Sequence, residues 1–238
     1  MKQNLQEKVN QGKKMPHLKQ QHRMLILSVF MLSLISLQNF AQGTWTPVAT
    51  PAPAPSGGGM LLLSDGSAMC KTTAGGGDGI GNTYYKLTPD INGSYVNGTW
   101  TALKPMISTR LYYSSQVLKD GRVYVAGGEY GTGGSLGETY NPLTNKWTAA
   151  PAQGSFISDA NSAILPDGRV LQALVTGTLK PNKYFDPVAN TYSAGPNCLG
   201  IHNESTWVKL PDESILMVDR NATTSERYIP ALGSWVAD

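Results

Sequence analysis

The chain has 238 residues, 40% of them hydrophobic and only 15% charged, with 26 Gly, 15 Pro, 2 Cys and a formal net charge of +3. That length allows one or two domains with a full core, and the composition excludes a disordered acidic or basic tail protein. So much Gly and Pro implies many turns, and therefore short strands joined by tight loops rather than long helices.

Residues 1–41 carry Lys2, Lys8, Lys13, Lys14, Lys19 and Arg23 against Glu7 alone, then the 13-residue apolar run Leu25–Leu37 and small residues near Ala41. This is the layout of a secretory signal peptide with cleavage near Ala41, and Met15 would give it a more usual start. A membrane span wants about 20 apolar residues, so no permanent span is expected. Beyond residue 41 there are 13 Lys plus Arg and 15 Asp plus Glu, a net charge of −2, so no basic patch remains for nucleic acid. The expected location is outside the cytoplasm: secreted, periplasmic or at the cell surface. Cys70 and Cys198 could pair in an oxidising compartment, but two cysteines do not make a disulfide scaffold.

Residues 42–59 read as a lone outer strand, Gly43-Thr-Trp45-Thr-Pro, followed by a Pro/Ala/Gly-rich extended connector from Ala49 to Gly59. A repeat follows. An apolar run ends in an acidic turn at Asp65-Gly66, Asp120-Gly121, Asp167-Gly168 and Asp212-Glu213, the acids being 55, 47 and 45 residues apart. Each turn leads into a second alternating strand such as Arg122-Val-Tyr-Val-Ala126, the mark of a hairpin. A third strand ends in a turn, and a fourth opens on Trp100, Trp147, Tyr192 or Trp235, at intervals of 47, 45 and 43.

Four short strands per period in the forties predict propeller blades over 60–106, 108–154, 156–198 and 200–238, an all-β fold. A single four-stranded sheet cannot cover both its faces and must stack on its neighbours. The period-locked Trp100, Trp147 and Trp235, the blade-type Trp45, and Tyr140 are accordingly expected between sheets; the competing reading for such Trp residues is sugar stacking at the surface. Gly127 and Gly128 point to close backbone approach or positive φ.

The run Arg122-Val-Tyr-Val-Ala-Gly-Gly-Glu-Tyr130, with Gly137-Glu-Thr-Tyr140 and Trp147 after it, resembles a Kelch repeat. The match is strongest over 108–154 and weakest over 200–238, where Glu213 replaces the turn Gly. The resemblance implies a β-propeller of six or seven blades. Four are present, so the sequence is expected to be a C-terminally shortened member, with a true four-bladed ring or a ring shared between chains as alternatives.

Aligning the blades on the turn acid places Gly57, Tyr112, Asp159 and Glu204 at one frame position, eight residues before it, where the chain enters the innermost strand. These are expected at one mouth of the channel, with Tyr113 and His202 beside them, either as a solvated rim or as a shared site for a cation or a polyhydroxylated ligand. Blade two, from Arg110 to Tyr130, is also similar to the galactose oxidase blade that supplies a copper-binding radical tyrosine. That resemblance implies Tyr112 as the radical tyrosine, Tyr130 as the aromatic over it, and copper as cofactor. Cys70 departs from it, because the crosslinking cysteine belongs near Gly57, and His202, the one histidine beyond residue 41, does not make a copper site. The first reading needs no cofactor: an exported binding module for a protein or glycan ligand. A copper radical oxidase and a structural cell-surface domain are the alternatives.

The glycine-rich runs Gly75–Gly79 and Gly131–Gly134 open no predicted helix, so they read as loops rather than phosphate cradles. Asp90-Ile-Asn92-Gly-Ser94 begins like a calcium loop, but Tyr95 occupies the required Gly position.

Overall fold

The computed structural model describes residues 43–54, 56–73, 79–175, 181–220 and 222–238. Among the described residues, sixteen strands form four antiparallel four-stranded sheets, each a simple meander. The first contains β1 (Ser56–Leu62), β2 (Ala68–Thr72), β3 (Tyr84–Thr88) and β4 (Thr99–Ala102). The second contains β5 (Arg110–Val117), β6 (Val123–Gly131), β7 (Gly137–Asn141) and β8 (Lys146–Ala149). The third contains β9 (Ser162–Ile164), β10 (Val170–Ala173), β11 (Pro181–Asp186) and β12 (Thr191–Asn197). The fourth contains β13 (Thr206–Lys209), β14 (Ile215–Val218), β15 (Ser225–Ile229) and β16 (Ser234–Ala237). All the sheets lie within one compact unit, Pro47–Asp238. No helix of the described residues is long and apolar enough to cross a membrane.

The four acidic turns share one local mechanism. Asp65, Asp120, Asp167 and Asp212 each accept, on Oδ1, the backbone N–H two residues on, from Ser67, Arg122, Arg169 and Ser214. The next residue is left-handed: Gly66, Gly121 and Gly168 at φ 78°, 84° and 92°, and Glu213 at 69°. Hydrogen bonds such as Leu118 N–H to Arg122 C=O close a three-residue loop in which that residue alone has positive φ. Blade four keeps this geometry with a side chain that disfavours it.

Between sheets the core is aromatic. Met69 and Tyr84 of the first sheet meet Val123, Val125, Tyr140 and Trp147 of the second. Tyr124 and Ala126 meet Val170, Phe185 and Tyr192 of the third, with Tyr124 stacked on Phe185 at 4.8 Å. Leu165 and Leu171 meet Ile215, Met217, Tyr228 and Trp235 of the fourth. The third-strand aromatic and its cross-strand partner touch in three blades: Tyr140–Trp147 at 5.0 Å, Phe185–Tyr192 at 5.0 Å and Tyr228–Trp235 at 5.6 Å. Each such pair adds about 0.5–1.5 kcal/mol beyond area burial. Every interface also joins two phenols: Tyr84 with Tyr113, Tyr124 with Tyr192 at 2.9 Å, and Tyr184 with Tyr228 at 3.0 Å. The outward faces of the first and fourth sheets carry exposed Met60, Leu62, Val208 and Val218.

Gly127 and Gly128 are where the blades come closest. Both have positive φ, 86° and 122°, and Gly128 N–H donates to Ser158 C=O of the next blade at 2.6 Å. A Cβ on Gly127 would lie 2.2 Å from that same oxygen.

Residues 43–48, expected as a lone outer strand, form none, and one boundary is corrected. The connector is shorter than expected, since β1 already begins at Ser56, pairing with Thr72 ahead of an irregularity that ends at Met60. Three consecutive glycines hid that strand start. Cys70 and Cys198 are both buried, and among the described residues neither is in a disulfide.

Gly127→Ala is expected to destabilise the protein by about 3 kcal/mol in urea unfolding, combining left-handed strain with a backbone clash, whereas Gly121→Ala, which meets only the Ser64 side chain, costs about 1 kcal/mol. Burial pushes the Tyr113 and Tyr192 phenols up to about 12 from an ordinary 10. Stabilisation from a raised acid is full below the unfolded value, so urea stability is expected to hold to about pH 10 and fall as the pH climbs towards 12.

Candidate binding rim

Each sheet has a loop side, where its innermost strand begins, and a turn side, where that strand ends in the acidic turn. On the loop side one backbone feature repeats: Tyr112, Ser158 and Glu204 are left-handed at φ 53°, 48° and 54°. In blade two the cause is a bulge. The register of β5 against β6 shifts between Leu111 and Tyr113, so Tyr112 has no cross-strand partner. Tyr112 is 60% exposed and meets Tyr130, 48% exposed, edge to face at 6.1 Å. The neighbouring Glu129, by its charge and a hydrogen bond, pushes the Tyr130 phenol up.

Beneath the rim lie buried clamps that the sequence reading missed. Arg110, fully buried, donates from Nε and Nη2 to Glu138 Oε1 at 3.2 and 2.8 Å, and from Nη1 to the Gly127 and Leu136 carbonyls. Glu138 also accepts the Ile107 and Ser108 N–H groups, pinning the loop that leads into β5. Blade four repeats the device: Glu226 accepts Leu199 and Gly200 N–H, both at 2.7 Å, and pairs with His202 Nε2 at 2.8 Å. Arg110 and His202 each stand ten residues before their turn acid, and Glu138 and Glu226 each stand two before the third-strand aromatic. That coincidence is the signal that would have revealed the clamps. Blade three has Ile157 and Lys183 there and uses Gln172 instead, whose amide donates to Asn161 C=O at 3.1 Å and accepts from Ser114 Oγ at 2.9 Å.

The expected rim is therefore divided. Tyr112, Tyr130 and Glu204 are exposed, with Glu204 paired to Arg220. Asp159 is half-buried, and its Oδ1 has no hydrogen-bond partner among the described residues. Tyr113 and His202 do not belong to the rim. The Tyr113 side chain turns inward from the bulge to reach Tyr84, and His202 is 2% exposed, packed edge-on against Trp207 and Trp235 at 5.3 and 4.7 Å. The Trp207 indole donates to His202 Nδ1 at 3.2 Å, so Nε2 carries the proton that goes to Glu226. The period-locked Trp147 and Trp235 pack between sheets, Trp100 lies half-buried against Val48, Ala68, Cys70 and Leu87, and Gly127, Gly128 and Tyr140 are buried.

The donor set does not fit copper. Both nitrogens of His202 are committed, Cys70 lies in the apolar face of the first sheet with burial raising its thiol, and no three His, Cys, Asp or Glu among the described residues stand where they could share a metal ion. Of the glycine-rich runs, 74–78 lie outside the described residues, and Gly131–Gly134 belongs to the link between β6 and β7. Asp90 accepts Asn92 and Ser94 N–H as an ordinary turn.

Among solved structures the chain is similar to one described as the structure of YjhT, with a TM-score of 0.58 and 16% identity over 79% of this chain and 65% of that one. A fungal alcohol oxidase of the AA5 family, in complex with copper, is matched at a TM-score of 0.40 and 18% identity over 75% of this chain and 52% of that one. The chain thus spans between about half and two-thirds of the length of these structures. No protein-family model matches it, and no curated protein does. With the four stacked meanders, the first likeness defines the fold as a Kelch-type β-propeller.

Burial alone would raise the Glu226 carboxyl, but the hydrogen bond from His202 and the two backbone N–H groups outweigh it and hold it below its usual 4.5. A depressed carboxyl stabilises above its unfolded value and loses that contribution as pH falls through the folded one. Glu226→Gln is expected to lower urea stability at pH 7 and to flatten the loss of stability below about pH 4.5 seen in the parent protein.

Proposed function

We propose that this chain is the propeller of an exported binding protein that takes a polyhydroxylated ligand, a glycan, on the loop-side rim. The observation that carries the reading is Tyr112: a large aromatic side chain, 60% exposed, on a left-handed backbone that only glycine adopts without strain. Packing does not require a tyrosine there, and strained non-glycine residues concentrate where a site is built. With Tyr130 it offers aromatic faces to the apolar side of a sugar ring. Glu129, Asp159 and Glu204 are carboxylates, acceptors only, which suits a ligand rich in hydroxyl donors. Export rests on residues 1–41, outside the described residues.

A glycan array read with the labelled protein tests this. Binding to a defined glycan class is expected, weakened at least tenfold by Tyr112→Ala and by Tyr130→Ala with Tm unchanged, because both rings are exposed. An array without binding, or binding that ignores both substitutions, overturns the reading.

A further inference from the structure

The turn side carries concavities that the loop-side rim does not use. One, of about 470 Å³, lies between the third and fourth blades, walled by Leu165 and Pro166 on one side and Ile229, Pro230 and Ala231 on the other. A second, of about 490 Å³, shares Leu165, Pro166 and Glu213 with it and extends to Val117 and Lys119 of blade two. Both are open surface grooves rather than enclosed cavities, of the kind that receives an extended chain.

One arginine contact differs between the two blade junctions. Between blades two and three, Arg122 pairs with Asp120 and reaches across to donate to Pro187 C=O at 2.6 Å. Arg169 holds the same place in blade three and pairs likewise with Asp167, but its guanidinium lies over the Tyr184 ring at 4.2 Å. Pro230, the counterpart of Pro187, is a wall of the groove rather than an anchor.

The charges are unevenly shared. The outer groove holds Asp167, Asp212 and Glu213 against Arg169, while Lys119 and Lys209 stand on the axial side. Asp167 is neutralised by Arg169 and Glu213 pairs with Lys209, whereas the nearest cation to Asp212 is Arg227 at 4.0 Å. The Asp212 carboxyl, 62% exposed, is held below its usual value by the Ser214 hydroxyl and N–H, so it stays ionised. At the position where the other three turns have Gly, blade four places the Glu213 carboxylate beside both concavities.

From this charge complementarity we propose that the groove between blades three and four binds an extended peptide segment of a partner protein, one that sets an arginine or lysine against Asp212 and Glu213 and lays small apolar residues on the Leu165–Pro166 and Ile229–Ala231 walls. The site is independent of the glycan reading, since it lies at the opposite ends of the strands.

Fluorescence anisotropy of the full chain with two fluorescein-labelled heptapeptides tests it, both built of alanine, valine and proline around a central residue that is arginine in one and glutamine in the other. The arginine peptide is expected to bind at least tenfold more tightly than the glutamine peptide, and that advantage should shrink as salt is raised. Asp212→Asn is expected to weaken it about tenfold. Glu213→Gly, which restores the residue of the other three turns, should do the same without lowering Tm, so loss of binding is separated from loss of fold. Ala231→Trp, filling the groove from an exposed position, should abolish binding, and Tyr112→Ala should leave it intact. Equal binding of the two peptides, absence of binding, or binding untouched by Asp212→Asn and Ala231→Trp overturns the proposal, whatever the glycan array shows.

Discussion

A four-stranded sheet has two faces, and among the described residues there is no helix to cover either of them. Each sheet here must bury its apolar side chains against the next one, and almost every other feature follows from that requirement. It explains why large aromatic residues recur at a fixed place in the period, since only side chains of that size fill the spacing of about 10 Å between stacked sheets. It also explains the paired phenols. A tyrosine long enough to cross the interface carries a hydroxyl that cannot be left unpaired, and the nearest partner is a tyrosine of the neighbouring blade.

Stacking brings backbones close as well as side chains, and the loop side is shaped by that. At Gly127 the Ser158 carbonyl of the third blade lies too close for any Cβ, and Gly128 N–H donates to that same oxygen. The Arg110–Glu138 pair then fixes the loop leading into β5, with both partners almost wholly buried. Removing one member of such a pair strands the other charge, at a cost of about 3–5 kcal/mol, so the pair specifies the geometry more than it adds net stability. Tyr112 and Tyr130 stand above this fixed base. Blade four solves the same problem with His202 and Glu226, and blade three with the Gln172 amide, so the repeat preserves a mechanical role while changing the chemistry that fills it.

The two sides of the propeller have different characters as a result. The loop side offers exposed aromatic rings and partly satisfied carboxylates on a rigid base. The turn side offers shallow grooves between neighbouring turns, with Arg122 crossing to Pro187 of the next blade and Arg169 lying over Tyr184 of its own.

The sequence by itself determined the sheet architecture, because turn chemistry and alternating apolar residues are local signals. Asp followed by Gly at the hairpins, the spaced aromatics and the Gly127–Gly128 pair all declare their roles in residue type and spacing. It also marked Tyr112 and Glu204 as equivalent positions, but in blade three the left-handed residue is Ser158, one before the expected Asp159. What it could not decide was direction. Tyr112 and Tyr113 are adjacent tyrosines, and only the bulge in β5 sends the first to solvent and the second to Tyr84. His202 looks like a surface ligand until Trp207, Trp235 and Glu226 close around it. Glu138 and Glu226 look like exposed strand residues until the loop N–H groups they accept are seen. In each case the partner lies 5 to 33 residues away in sequence, and burial and hydrogen bonding at that range are set by how one sheet packs on the next.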